Sequence, residues 1–462
     1  MSETTGNSAS AQETSRRRDW TKGPILRNLL ILSWPMIVME ATYMVSQLFD
    51  LVWVGRSGSA ALAGLGIGLM ICFMVSTVDM AIIAGMRAMI ARFVGAGDPV
   101  NARKVAAQAY ILAFGWGAIV SVGGYFLAEP LVRMFGVEPA VVTEGTRYLR
   151  VMFLGWISMG MLVMGLYIMQ SSGDSFNPMI LEVIIRVVHV AISPFLVLGL
   201  WIFPAMGITG AALANVISQI LGALFGFWYL FGGHTRLKLR LSDIRFIPGM
   251  TWRLLRIGIP SLISMVQMTA SNFLLTWIVA PFGTAALAAH SLVNNINGFV
   301  STPNIGMSAG MSVLAGQNLG AKQPQRAVKS TLLGAAVLQG FLVVCIIVIL
   351  IWAENIVGLF TQDPETVKIA TTFLRIATAA YLVMGLSAAF MACINGAGDT
   401  LATMIINIGM IWLVQIPLAF ILANHTGLEA NGIRWALVTA VFTTAAVSFL
   451  YFKFGKWRTK RV

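Results

Sequence analysis

The run LLILSWPMIVMEATYMVSQLFDLVWVGRSG, Leu29 to Gly58, is apolar for longer than a membrane is thick, and it carries two carboxylates, Glu40 and Asp50. About 20 apolar residues cross ~30 Å of hydrocarbon as a helix, so the run predicts a transmembrane span over Leu29–Val54. A bare carboxylate at mid-bilayer costs roughly 2.5 to 3.5 kcal/mol or more. Asp50 must therefore be paired, protonated or facing water, and it is the first functional candidate.

Runs of the same kind fill the chain. Of its 462 residues 58% are hydrophobic and 11% charged, with a mean hydropathy of +0.82, which excludes a soluble globular protein of ordinary make-up. Eleven further runs follow, approximately Ala61–Ile83, Val105–Leu127, Val151–Met169, Pro178–Phe203, Met206–Leu230, Leu254–Val279, Ala285–Leu314, Ala327–Trp352, Leu374–Ile394, Leu401–Leu422 and Ile433–Phe452. Backbone groups in lipid must be satisfied within their own segment, so these are helices. The expected fold class is an all-α polytopic membrane protein with twelve transmembrane helices.

The net charge of +13 invites a nucleic-acid partner, but its distribution does not. Most of the 31 lysines and arginines precede the first span, follow the last, or lie in the 2–3, 6–7 and 8–9 loops. That is the positive-inside bias of a multi-pass cell-membrane protein with both termini in the cytoplasm. Residues 1–24 read as a disordered polar cytoplasmic tail, and 454–462 as a basic cytoplasmic tail. The first span is too long for a signal-peptide core and is expected to be retained. Cys72, Cys345 and Cys393 lie in apolar runs without CxxC or metal-ligand spacing and read as small hydrophobes. No metal site, cofactor or enzymatic constellation is expected, and a monomer in the bilayer is.

Compared with itself 225 residues on, the chain matches from end to end. Pro35 meets Pro260, GSAALAG (Gly58 to Gly64) meets GTAALAA (Gly283 to Ala289), and VGAGDPVNARK (Val94 to Lys104) meets LGAKQPQRAVK (Leu319 to Lys329). Further on, SGDSFNPMI (Ser172 to Ile180) meets AGDTLATMI (Ala397 to Ile405). Six spans separate the copies, an even number, so both insert the same way. The expectation is two six-helix lobes related by a pseudo-two-fold axis along the membrane normal. Their boundaries read as 25–231 and 254–453, joined by a basic cytoplasmic linker at 232–253.

Ionisable side chains expected inside helices are Glu40, Asp50, Asp79, Glu182, Arg186 and His189, all in the first half. Their repeat partners are Met265, Leu275, Asn304, Asn407, Ile411 and Val414. Charges needed only for architecture would be shared, so the asymmetry points to the first lobe as the ion-coupling one. On the first helix Tyr43, Ser46, Gln47 and Asp50 share one stripe. On the fifth, Glu182, Arg186, His189 and Ser193 share another, and the two stripes are expected to face each other across an internal cavity. Glu182 and Arg186 have i,i+4 spacing, which suits a structural ion pair as well as a transport role. Arg186 could instead answer Glu40 or Asp79. His189 carries an imidazole, a side chain that suits a proton relay or a neutral hydrogen-bonded position. His290 reads as a capping or gate residue.

D-x-x-x-x-G-R-x-G at Asp50, Gly55, Arg56 and Gly58, together with VAPFGTAALAAH (Val279 to His290) and the turns at Gly95–Asp98, Gly173–Ser175 and Gly398–Thr400, resembles the multidrug and toxic compound extrusion (MATE) family. The likeness covers roughly residues 25–455 and implies efflux of cationic or amphipathic organic compounds by alternating access, in exchange for protons or sodium. The NorM-like branch places acids where Met268 and Met384 stand here; these methionines suit a soft substrate cavity. The DinF-like branch uses the helix-1 aspartate and a helix-5 N-x-x-x-D-P pattern, which here reads His189, Ser193, Pro194. The resemblance thus implies a coupling site of Asp50, His189, Ser193 and Gln47. A substrate cavity would be lined by Tyr43, Ser46, Asp79, Glu182, Arg186, Met268 and Met384, with Pro35 as hinge. The rival reading is a lipid-linked oligosaccharide flippase of the same superfamily, which would need extra helices and a strongly basic cleft.

Overall fold

The computed structural model describes residues 19–460. The tail expectations for 1–18 and 461–462 lie outside the described residues. The chain is helical almost throughout: α1 Ile25–Gly55, α2 Ser59–Gly95, α3 Pro99–Arg133, α4 Pro139–Leu154, α5 Trp156–Ser172, α6 Phe176–Leu198, α7 Ile208–Phe231, α8 Pro248–Val279, α9 Thr284–Gly320, α10 Pro324–Gly358, α11 Pro364–Gly396, α12 Thr400–Asn424 and α13 Ala430–Phe454. Among the described residues ten helices are long and apolar enough to span a membrane, and α4 with α5, bent by 54° at their junction, adds an eleventh. The remaining expected span, α9, is 37 residues long, but Asn294, Asn295, Asn297, Asn304 and Asn318 lower its hydropathy. α2 runs to Gly95, well past the expected end at Ile83, so Arg87 and Arg92 are helical rather than loop residues.

The sequence repeat is a repeat of backbone geometry. Gly173 and Gly398 both take left-handed φ, 96° and 81°, where a side chain is strained. After each, an aspartate N–H reaches back five residues, Asp174 to the Met169 carbonyl at 3.0 Å and Asp399 to that of Ile394 at 3.1 Å. Likewise Asp98 N bonds Phe93 O and Gln323 N bonds Asn318 O, each at 2.8 Å, before a proline opens the next helix. The Asp98 carboxylate takes the Asn101 backbone N–H at 3.0 Å and its side-chain amide at 2.6 Å, bonds that hold it below the usual carboxylate range.

The chain divides into two compact units, and the division does not fall at the linker 232–253. Among the described residues, one unit holds Asp19, Trp20 and Trp34–Gly258; the other holds Thr21–Ser33 and Ile259 to Lys460. The first turns of α1 thus pack with the second unit, where Arg326 Nη2 donates to Gly23 O at 2.7 Å. The first turns of α8 pack with the first unit, where Thr251 Oγ1 donates to Gln108 Oε1 at 2.9 Å. The linker is bound there too: Gln108 Nε2 donates to Arg245 O at 2.7 Å, and Arg103 pairs with Asp243 at 3.2 Å. The first unit has an apolar core of Val54, Leu65, Ile71, Tyr148, Phe153, Trp156 and Ile208. The second has separate clusters around Leu342 and Phe373, around Leu275 and Ile433, and around Phe390 and Trp457.

Helix crossing inside the first unit is close enough to require glycine. A β-carbon on Gly258 would lie 2.4 Å from the Ala81 carbonyl, and one on Gly85 would lie 2.3 Å from that of Leu254. Gly258→Ala is expected to cost about 1 to 3 kcal/mol, read as a lower thermal unfolding midpoint. Gly66→Ala, whose added carbon meets nothing within 4 Å, is expected to leave that midpoint unchanged.

Candidate functional site

α1 and α6 bring the two expected polar stripes into direct contact. His189 is 1% exposed and Asp50 6%, and His189 Nε2 lies 3.3 Å from Asp50 Oδ1. That is an ion-pair distance without hydrogen-bond alignment, since Nε2 has no hydrogen-bond partner. The other ring nitrogen, Nδ1, is 2.9 Å from the Ser46 hydroxyl. Ser193 Oγ, at 3.5 Å, points at Asp50 Oδ1. The stripes were expected to line a cavity between them; instead they touch, because serine and histidine are short enough for α1 and α6 to close on the carboxylate. Asp50 thereby has an imidazole nitrogen and a hydroxyl beside it, and it interacts electrostatically with Arg186 and Tyr148 as well.

Beside this cluster, Arg186 Nε donates to Glu182 Oε1 at 2.7 Å, both residues buried. The guanidinium lies 4.8 Å over the ring of Tyr43, whose hydroxyl bonds Gln47. Arg186 therefore answers Glu182, not Glu40 or Asp79. Glu40 interacts electrostatically with Arg87, whose guanidinium covers the Tyr167 ring at 5.0 Å. Asp79 stands apart: the Trp156 indole donates to Oδ2 at 3.2 Å, while Oδ1 has no partner.

The other expected residues are dispersed. Met268 is 55% exposed on α8, and Met384 packs on the Leu342–Phe373 cluster. Pro35 is buried within an unbroken α1, one residue beyond the point where that helix changes unit. Among the described residues, no group of three His, Cys, Asp or Glu side chains gathers as a metal site would require.

Two cations within the helices, Arg87, which is half-buried, and Arg434, which is buried, escaped the sequence reading. Arg87 fell beyond the expected end of its span. Arg434, 2% exposed near the start of α13, was counted with the outer-side charges, so the inventory confined to the first half was incomplete. Its position one residue inside the apolar run from Ile433 was the available signal.

Arg186→Met should strand a buried carboxylate and cost about 3 to 5 kcal/mol. The double substitution Glu182→Gln, Arg186→Met should unfold at a higher temperature than that single variant. Equal midpoints would mean that the pair is not coupled.

The MatE family model matches residues 35–195 and again residues 260–421, two stretches that begin at the repeat-related prolines. The chain is similar to the probable multidrug resistance protein YoeA of Bacillus subtilis, 27% identical over 460 residues and 98% of each chain. It is also similar to the probable multidrug resistance protein NorM of Thermotoga maritima, 24% identical over 95% of this chain and 94% of that one. A third relative, the FAD transporter of Shewanella oneidensis, is 23% identical over 92% and 93%. Among solved structures, a multidrug resistance MATE family transporter in its outward-facing conformation superposes with TM-score 0.88 at 22% identity, covering 94% of this chain and 96% of that one. A MOP superfamily transporter from Pyrococcus furiosus gives 0.89 at 22%, covering 96% and 98%. At that identity the likeness is one of fold.

Proposed function

Because the chain belongs to the MatE family, we propose that it is a secondary active efflux transporter, exporting cationic or amphipathic organic compounds in exchange for protons by alternating access. Relatives described as probable multidrug resistance proteins support the efflux reading over the flippase. The observation that carries the coupling is the buried Asp50–His189 pair, 3.3 Å apart.

An ionised Asp50 in this setting attracts any cation that reaches it, because the apolar surroundings screen its field far less than water does. A proton arriving from outside neutralises the carboxylate, removes its hold on a bound cation and lets the substrate leave outward. Loss of the proton to the cytoplasm restores the charge. His189 stands where it can pass or share that proton, with Ser46 fixing its ring and Ser193 beside the carboxylate. Sodium would want a shell of oxygens, which Asp50, Ser46, Ser193 and Gln47 could begin; a ring nitrogen at the carboxylate favours the proton. Tyr43, Arg186 and Glu182 would form the adjoining wall of the substrate path, and Pro35 would let α1 change shape as the charge at Asp50 changes.

Proteoliposomes loaded with a fluorescent organic cation and given proton and sodium gradients separately would decide the matter. A proton gradient should drive efflux in the wild type, and Asp50→Asn should fall to the level of empty liposomes. Full gradient-driven efflux by Asp50→Asn would overturn the assignment of the coupling residue. Efflux driven by sodium alone would overturn the choice of ion.

A further inference from the structure

Every other strongly buried arginine in the described residues has an acid to answer it, directly or electrostatically, or lies near a cytoplasmic turn; Arg434 does not. Its guanidinium lies 4.9 Å over the Phe373 ring. Nη2 donates to the His290 carbonyl at 3.0 Å, and Nη1 to Asn294 Oδ1 at 3.2 Å. No carboxylate in the described residues pairs with it or contributes to its electrostatics. Arg434 Nε has no hydrogen-bond partner, and neither has either ring nitrogen of His290, which is 2% exposed and interacts electrostatically with Arg434. A neutral imidazole always carries one N–H, so at least two donors, guanidinium and imidazole, lie unpartnered here, with the Tyr381 phenol, which donates to Asn297, as the electrostatic partner of Arg434.

Such a cluster is costly as it stands. A desolvated cation needs a counter-charge, and an unpaired buried donor forfeits about 1 to 3 kcal/mol. Phe373 closes one face of the guanidinium, and the His290 carbonyl and Asn294 Oδ1 each take a terminal nitrogen, which leaves the buried Nε as the unpartnered donor. His290, Asn294 and Asn297 lie at i, i+4 and i+7 on one face of α9, and Asn297 is engaged by the Tyr381 hydroxyl. Asn294 is exposed and so marks the mouth. Because its carbonyl oxygen is held by Arg434, its amide N–H groups remain as further donors at that mouth. Cation, imidazole and amide are the complement of one compact negative charge. The repeat partner of Arg434 is Thr209, so the site belongs to the second unit alone.

We propose that Arg434, His290 and Asn294 form a binding site for a compact singly charged anion, a halide or a carboxylate group. It is independent of the coupling site at Asp50. The anion supplies the counter-charge the fold omits, by accepting from Arg434 Nε, from the His290 N–H and from Asn294.

The test uses the purified full chain in detergent at constant sodium and ionic strength, with isethionate replaced stepwise by chloride or, in a second series, by benzoate. The wild-type unfolding midpoint should rise saturably with chloride, benzoate or both. Saturation by chloride alone identifies a free halide as the source, and saturation by benzoate alone identifies a carboxylate borne by an organic compound. Arg434→Gln should abolish the dependence, and His290→Phe should weaken the apparent affinity roughly tenfold or more. Arg434→Lys should retain part of it, and Asp50→Asn all of it. If Arg434→Gln does not fold, His290→Phe and Asn294→Ala carry the test. A wild-type midpoint indifferent to both anions, or saturation unchanged in the Arg434 or His290 variants, would overturn the proposal.

Discussion

Charge inside hydrocarbon has to be answered, and the placement of nearly every polar side chain in this protein follows from that demand. Water stabilises an ion by many kcal/mol that lipid and packed helices do not replace. Each buried charge therefore needs an opposite charge, a set of donors or acceptors, or a proton. The first unit meets most of the demand internally: Arg186 lies against Glu182, Arg87 interacts electrostatically with Glu40, and Asp50 lies beside His189, Ser46 and Ser193 being the neighbouring hydroxyls, while Asp79 has a single indole donor. Aromatic faces do part of the work, Tyr43 under Arg186 and Tyr167 under Arg87, because a ring solvates a guanidinium without bringing in another charge. The second unit, by contrast, contains among the described residues a single deeply buried guanidinium, and no carboxylate pairs with it.

Much of this was legible in the chain. Long apolar runs and the 225-residue self-match gave the helical architecture, because span length and turn chemistry are local properties. The stripes on α1 and α6 predicted the Asp50–His189–Ser193 grouping correctly, since helical spacing alone puts those residues on common faces. What spacing cannot supply is the distance between two helices, so a contact was read as a cavity. Helix ends were the other weak point. α2 continues three turns beyond its apolar stretch because Arg87 can stack on Tyr167 and Arg92 lies in its last turn, and a hydropathy limit at Ile83 could not foresee that. Arg434 was lost differently: it lies one residue inside its apolar stretch and was counted with the loop charges.

The two halves also show which features of a duplicated fold are free to diverge. Backbone devices persisted: left-handed glycines at Gly173 and Gly398, prolines at the starts of α3 and α10, and five-residue N–H to C=O closures before each. The side chains around them did not. Asp174 takes the Asn177 amide and interacts electrostatically with Arg236, whereas its counterpart Asp399 is held by Tyr451 and by Lys460 at 2.9 Å from the C-terminal segment. α6 is regular, but its counterpart α12 contains a wide turn at Met410–Gln415. Local π-type turns of this kind re-aim side chains without moving helix ends.

The crossing of α1 and α8 from one unit to the other, at Trp34 and Ile259, bears on how such a chain could have come about. The two boundaries are equivalent positions in the repeat, and each half lends its opening turns to the other's packing. A half-length polypeptide with the same boundaries could not bury those turns on itself and would present them to a second copy. That is the arrangement of a domain-swapped dimer. Joined in tandem, the two halves keep those turns within one chain, and the repeat positions are free to differ, Asp50 against Leu275 and Arg434 against Thr209.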